Sequence, residues 1–396
     1  MVRGGIALAL AGALAACASL PDTPGPVSLT IAGPPIPAEQ TGQAYLYTAP
    51  QLPEGYDGGG IMAQHWSMLG REDKSAAADP SEYRARSCPL AEGHATGWGQ
   101  TLDRIAAHAQ DTRIVIVNES HTVTRHRDTT RRLLERLRPL GFTVFAAETF
   151  ANVDEVGQDP VERLAGRTYP HRDLGYYSRE PAFGRMLRTA IAEGYRLVAY
   201  EHVDEHDDAD SEQGEDDQFA SISMREAGQA ENLAAIVAAM GPDQKLLVHV
   251  GYAHASESAG PGPDGRVLEW MAKRLKALTG IDPLTVGQTV CRRTGANEVL
   301  LIPMPRGEGA PFDFALDHPV DEFARSRPQW RHSADSAVPI PWALRPTDGP
   351  LVIEAVEENA DFDAVPVDRV YVEPGEDIPL LLPPGRYSVR AVRLTE

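Results

Sequence analysis

Residues 113–150 read RIVIVNESHTVTRHRDTTRRLLERLRPLGFTVFAAETF, and the order of patterns in that stretch decides the fold class. The β-branched run at 113–117 has no polar interruption, the mark of a strand covered on both faces, and it ends in Asn118-Glu119-Ser120-His121. Leu133, Leu134, Leu137 and Leu140 then recur at helical spacing, and Gly141 stands where a helix end favours a left-handed residue. A second apolar run, 143–147, ends in Glu148. Two strands joined by a helix are expected to be parallel neighbours whose C-terminal ends open on one edge of the sheet, where open parallel sheets take ligands.

Outward from this unit the alternation continues. A helix is expected over 102–110, a second from Ser178 and Pro181 to about 193, a third over 223–240 closed by Gly241-Pro242, and a fourth over 268–278. Strands are expected at 196–200, ending in Glu201, at 245–250, followed by Gly251-Tyr252-Ala253-His254, and at 284–290 and 298–304. The pattern predicts a three-layer α/β domain with a mainly parallel sheet flanked by helices. Past 305 the texture changes: short apolar runs at 351–354, 367–372, 378–382 and 387–392, separated by Pro-Gly turns, predict a small C-terminal β module. The acidic stretch 206–217, HDDADSEQGEDD, reads as a solvated loop, with a lid or cation-collecting role as the alternative.

At the N-terminus, Arg3, an apolar run over 6–16 and Leu14-Ala15-Ala16-Cys17 form the pattern of a bacterial lipoprotein signal. The expectation is cleavage before Cys17, lipidation of Cys17 and a place in the cell envelope. Ala18 in the next position points to the outer membrane, facing the periplasm. The domain plan is therefore a signal peptide at 1–16, a Pro/Gly-rich tether with little structure at 17–53, an α/β domain at 54–310, and an extension with the β module at 311–396. Cys88 and Cys291 remain; export permits a disulfide, and spacing leaves their pairing open. With 37 Lys and Arg against 57 Asp and Glu, the formal net charge of -20 argues against a nucleic-acid partner and favours a neutral or cationic small molecule.

Charged residues are rarely buried unless paired, yet four predicted strands end in them: Glu119 with His121, Glu148, Glu201 with His202, and His249 with His254. On the helix over 223–240, Arg225, Gln229 and Asn232 share one face. A His held by a carboxylate can take a proton from water, and an Arg or second His can meet the oxyanion that forms when that water attacks an ester or amide. His121 is the expected general base, Glu119 and Glu148 orient and charge it, and Arg225 with His254 meets the oxyanion. Glu201, Asn232, His249 and Tyr252 are expected to bind substrate. Neither a Gly-x-Ser-x-Gly elbow nor a cysteine near the group offers a covalent nucleophile, so direct water attack is favoured. The expected function is hydrolysis of an ester-like or amide-like bond of a small molecule, with no cofactor. The same side chains leave open a divalent metal held by His121, His254 and carboxylates.

Glu119-Ser120-His121, the strand end at Glu148, REAGQAEN over 225–232 and VHVGYAH over 248–254 together resemble the erythromycin-esterase and ChaN-like superfamily. The resemblance covers about half the chain, with Asn118 where the superfamily has Gly. The esterase branch implies metal-free lactone opening by a His general base, carried over to His121, Glu119, Glu148, Arg225 and His254. The ChaN-like branch implies instead a haem- or iron-binding outer-membrane lipoprotein without turnover, ligated through Tyr252, His249 or His254. A related branch contains metal-dependent peptidases.

Overall fold

The computed structural model describes residues 26–48, 50, 59–152, 159–203, 218–262, 265–293, 298–305, 307 and 309–395. Cys17 and the acidic stretch 206–217 lie outside them.

Chain order in the main body runs β1 Ala95–Thr96, α1 Gly97–Ala109, β2 Ile114–Glu119, α2 Arg125–Leu137, β3 Phe142–Ala147, α3 Pro181–Ala192, β4 Arg196–Val198, α4 Gln218–Ala239, β5 Lys245–Gly251, α5 Met271–Thr279, β6 Leu284–Gly287, β7 Leu300–Pro303 and β8 Phe314–Pro319. Across the sheet the order is β1-β7-β8-β6-β2-β5-β3-β4. The six strands from β8 to β4 are parallel; β7 runs antiparallel to both β8 and β1. The α/β class and its mainly parallel sheet are therefore as the sequence predicts.

One neighbour relation differs. β2 and β3 do not pair; β5 lies between them, with Val117 opposite His249 on one side and Ala147 opposite His249 on the other. A strand whose register partners lie 132 residues downstream can enter the sheet at low entropic cost because loop-closure entropy rises only slowly with length. The result brings His249 between the Glu119 and Glu148 strand ends.

Strand alternation sorts the core into two layers. Val115, Val117, Phe145 and Leu247 pack with Leu133, Leu134, Leu137 and Leu187 on one face; Ile114, Ile116, Val144 and Leu246 pack with Leu233, Val237 and Leu275 on the other. Period-two placement of continuous apolar runs is what a doubly covered sheet requires.

The expected tether is a correction. Val27–Ile31 is a strand pairing in parallel with Gly385–Arg393, and that C-terminal strand also pairs antiparallel with Leu351–Glu357, itself next to Asp368–Val372. Leu46 and Tyr47 are buried against Val352 and Val392. Here the Pro and Gly residues punctuate short elements, and the partner strand is too distant in sequence for local pattern to reveal it. Helices also occupy Gly59–Met68 and Glu72–Ala78, in a region the sequence leaves unassigned. Another difference is β8, which places residues beyond 310 in the main sheet. Where the β module meets the main body, buried Glu354 accepts hydrogen bonds from Arg369 (2.6 Å), Arg390 (2.7 Å), Arg172 (3.3 Å) and the Tyr47 hydroxyl (2.7 Å). Three cations and a hydroxyl around one carboxylate satisfy a charge that would otherwise be costly to bury. Cys88 and Cys291 are disulfide-bonded, with their Cα atoms 5.5 Å apart.

Candidate active site

β2 delivers Glu119 to the sheet edge, 1% exposed, where its carboxylate is fully engaged. Arg127, on the first turn of α2 and itself 0% exposed, donates from Nε to Oε2 (2.8 Å) and from Nη2 to Oε1 (3.0 Å). Its Nη1 donates to Glu180 (2.8 Å), the residue that caps α3 by accepting from the amides of Ala182 and Phe183. Burial by itself would raise the Glu119 carboxyl, but the Arg127 charge and the hydrogen bonds from His121 and His249 outweigh it and hold Glu119 well below the usual carboxylate range.

An ionised Glu119 can only accept, and this assigns the tautomers of both histidines beside it. His121 Nδ1, 3.0 Å from Oε1, is the donor, so in the neutral ring Nε2 is the nitrogen that carries the lone pair. His249 Nε2 donates to Oε2 (2.9 Å), and Nδ1 accepts from the Thr130 hydroxyl (2.9 Å). The His121 ring is stacked on Tyr177, 3.9 Å between centroids and 14° from parallel, and meets Tyr252 edge-on at 5.0 Å. Arg127 Nη2 also donates to the His121 carbonyl (3.0 Å). The general-base candidate is thus held at its backbone, at one ring nitrogen and by two aromatic rings.

Beyond Nε2 lies Gly251 at the end of β5. A Cβ there would stand 2.6 Å from His121 Cε1, 2.7 Å from Nε2 and 3.0 Å from Glu148 Oε2, so only glycine lets the imidazole approach this closely. The Gly251 amide donates to Glu148 Oε2 (2.6 Å), and Arg225 Nη2 donates to Oε1 (2.6 Å). Burial again opposes ionisation of Glu148, yet His254, His121 and Arg225 bring its carboxyl down to about 2. Glu119, His121, Glu148, Tyr177, His249 and Gly251 enclose a cavity of about 10 Å³, the size of one water molecule.

α4 supplies the far side. Arg225 donates from Nε to Glu201 Oε1 (3.0 Å) and from Nη2 to Oε2 (2.5 Å), and Gln229 donates to both oxygens (2.9 and 3.1 Å). Arg225 Nη1 stands 3.3 Å from His254 Nε2, and Nδ1 of that ring is in ion-pair contact at 2.5 Å with buried Glu226. Burial opposes the charged form of His254, but the Glu226 contact and the charge of Glu148 prevail and raise its pKa. Arg225 and His254 are thus held side by side by the carboxylates of Glu148, Glu201 and Glu226.

All five expected catalytic residues converge: Glu119, His121, Glu148, Arg225 and His254. Glu201 joins them through Arg225. The expected substrate-binding group fares differently. His249 is 2% exposed with both nitrogens engaged, so it positions Glu119 and does not face the cleft. Asn232 donates to the carbonyls of Tyr200 (3.1 Å) and Glu201 (3.2 Å), closing the end of β4. Tyr252 has a positive φ of 39°, a strained backbone for a side chain of its size, and its hydroxyl lies 3.4 Å from Ser120 Oγ. Asn118, where the resembling superfamily has Gly, donates to the Tyr252 carbonyl (2.6 Å) and accepts from the Gln288 amide (2.6 Å); it locks the strained turn to the loop after β6.

Arg127, Glu180, Glu226 and Tyr177 are contributors that sequence reasoning missed. A signal existed for Arg127, which lies on the same face as Thr130 and Leu134, three and seven residues on. Two of the residues expected to hold a metal or haem are already engaged. His249 has no free nitrogen, His254 sits between carboxylates and Arg225, and no three His, Cys, Asp or Glu converge in a metal-binding arrangement among the described residues.

The class these features define is a three-layer α/β domain with a buried Glu-His pair and an Arg-carboxylate cluster at the C-terminal edge of its parallel strands. No family model matches the chain, and no curated protein does. Solved structures that resemble it include the RRSP effector domain of a MARTX toxin from Vibrio vulnificus (14% identity, TM-score 0.31, 57% of this chain and 43% of that one). ChaN of Campylobacter jejuni, described with cofacial heme binding, matches at 10% identity and a TM-score of 0.36 over 58% of this chain and 98% of that one. The C-terminal region of Pasteurella multocida toxin, described with a thiol-protease-like triad, matches at 11% and 0.32 over 85% and 57%. The chain spans less than half of the first toxin structure it matches. Structural neighbours thus include toxin effector domains and a haem-binding protein, and these distant likenesses assign no role to any residue.

Proposed function

We propose that this protein is a hydrolase that cleaves an ester-like or amide-like bond by direct attack of water. The observation that carries the reading is the Glu119-His121 pair: an ionised carboxylate, clamped by buried Arg127, fixes Nδ1 as donor and leaves Nε2 as a base beside a water-sized cavity. His121 Nε2 removes a proton from water as the oxygen bonds to the carbonyl carbon. The carbonyl π pair moves to oxygen, where Arg225 Nη1 and protonated His254 receive the charge. Collapse re-forms the carbonyl and breaks the bond to the leaving group, which takes the proton back from His121. Glu119 stabilises the imidazolium formed in between, and Glu148 holds Arg225 and the Gly251 amide in place.

We also propose, from the resemblance and the N-terminal pattern, that it is a lipid-anchored envelope member of the erythromycin-esterase and ChaN-like superfamily. Acyl labelling that persists in Cys17→Ser would contradict the anchor. The chemistry is tested with a panel of aryl esters, lactones and anilides in ¹⁸O-labelled water. One ¹⁸O in the acid product of the first turnover, none in the recovered protein, and no acyl-protein trapped by rapid acid quench are expected; label delayed to the second turnover indicates a mixed anhydride with a site carboxylate, a trapped acyl-protein indicates an acyl intermediate, and either refutes direct attack.

A further inference from the structure

β4 is the last strand of the main sheet. It pairs with β3 alone, and among the described residues no other segment hydrogen-bonds to its outer side. Residues of this strand form one wall of a groove of about 740 Å³. The opposite wall carries Leu164 and Ala165, and the groove reaches both faces of the sheet: Ile191 belongs to the core layer on one face and Ile236 to the layer on the other. At its C-terminal end the groove includes Asn152, which donates to the Glu201 carbonyl (2.8 Å), and Glu201 is the carboxylate held by Arg225.

We propose that this groove binds an extended polypeptide segment of the substrate as an added strand beside β4. The inference rests on the hydrolytic reading above and names a polypeptide as the substrate in place of the small molecule expected from the sequence. An open strand edge presents alternating backbone donors and acceptors that another extended backbone matches in spacing. Side chains of such a strand alternate between faces, and apolar sockets wait on both, at Leu164 with Ile191 and at Ile236. A small ester would satisfy neither feature. The groove ends at Asn152, whose bond to the Glu201 carbonyl places that end beside the cluster that carries the chemistry.

The geometry also sets a distance. From the added strand across β4 and β3 to β5, where His121 stands over Gly251, is three strand spacings, about 14 Å. At about 3.5 Å per extended residue, the bond that reaches His121 lies about four residues from the segment held in the groove.

The test uses the full-chain protein, fluorescein-labelled β-casein as an unfolded polypeptide, and p-nitrophenyl acetate as a small ester. Casein should bind His121→Ala without being cut and be cleaved by the parent, and Ala165→Trp, which fills the groove from an exposed position, should lower the ratio of casein cleavage to ester hydrolysis at least tenfold. A ratio unchanged by Ala165→Trp, or a parent that hydrolyses the ester but neither binds nor cleaves casein, overturns the assignment. If nothing is hydrolysed while casein binds the parent and Ala165→Trp abolishes that binding, the groove assignment stands and the water-activation reading falls.

Discussion

Gly251→Ala separates the role of position from the role of chemistry at this site. The Gly251 backbone, φ -75° and ψ 147°, is ordinary extended geometry that alanine adopts without strain. The added methyl meets His121 Cε1 at 2.6 Å and Nε2 at 2.7 Å, against about 3.5 Å for a relaxed contact. The imidazole must therefore retreat by about 1 Å, lengthening its 3.0 Å hydrogen bond to Glu119 or leaving its stack on Tyr177. A misplacement of that size costs about 10²-fold in rate, or about 2.7 kcal/mol of transition-state stabilisation. We expect kcat/KM on the best ester of the panel to fall by about two orders of magnitude, with circular dichroism unchanged and the melting temperature within a few degrees of the parent. A Gly251→Ala protein within threefold of the parent would show that His121 Nε2 does not work from the position seen here.

Two further predictions concern the charges. The Glu148 carboxyl, held at about 2 against 4.5 for a free side chain, contributes stability that is present above pH 4.5 and lost as pH falls toward 2, on the order of 3 kcal/mol in all. Urea midpoints measured from pH 7 to pH 3 should fall less steeply in Glu148→Gln than in the parent; parallel curves would contradict the assignment. Because the His254 pKa is raised, its contribution has the opposite sense: it is full below pH 6.5 and fades as pH rises through the folded value. Arg127→Met leaves Glu119 and Glu180 buried without their shared cation and should destabilise the fold by about 3–5 kcal/mol in urea unfolding. A loss below about 1 kcal/mol would mean that the clamp is not needed for the buried carboxylates.

The local patterns that announce strands and helices were legible because continuous β-branched runs and 3.6-residue stripes depend on near neighbours. Strand ends were legible too, since a carboxylate or histidine closing an apolar run has no packing reason to be there. Hidden were the relations made at long range. Val27–Ile31 is a strand only because Gly385–Arg393 lies beside it, and β5 separates β2 from β3 although it follows them by about a hundred residues. Arg127 was hidden by its company: α2 carries six arginine positions from Arg125 to Arg138 counted with its final turn, the other five half-buried or exposed, and only tertiary contact distinguishes the buried one. His249 misled for the converse reason, as a histidine near a strand end that turns inward to hold Glu119.

The central claim, that the Glu119-His121 pair activates water, is tested most directly by the turnover of His121→Ala on the ester, lactone and anilide panel. Loss of a positioned general base should lower kcat by 10²–10⁴-fold, with Glu119→Gln falling in the same direction. Equal rates for His121→Ala and the parent would contradict it.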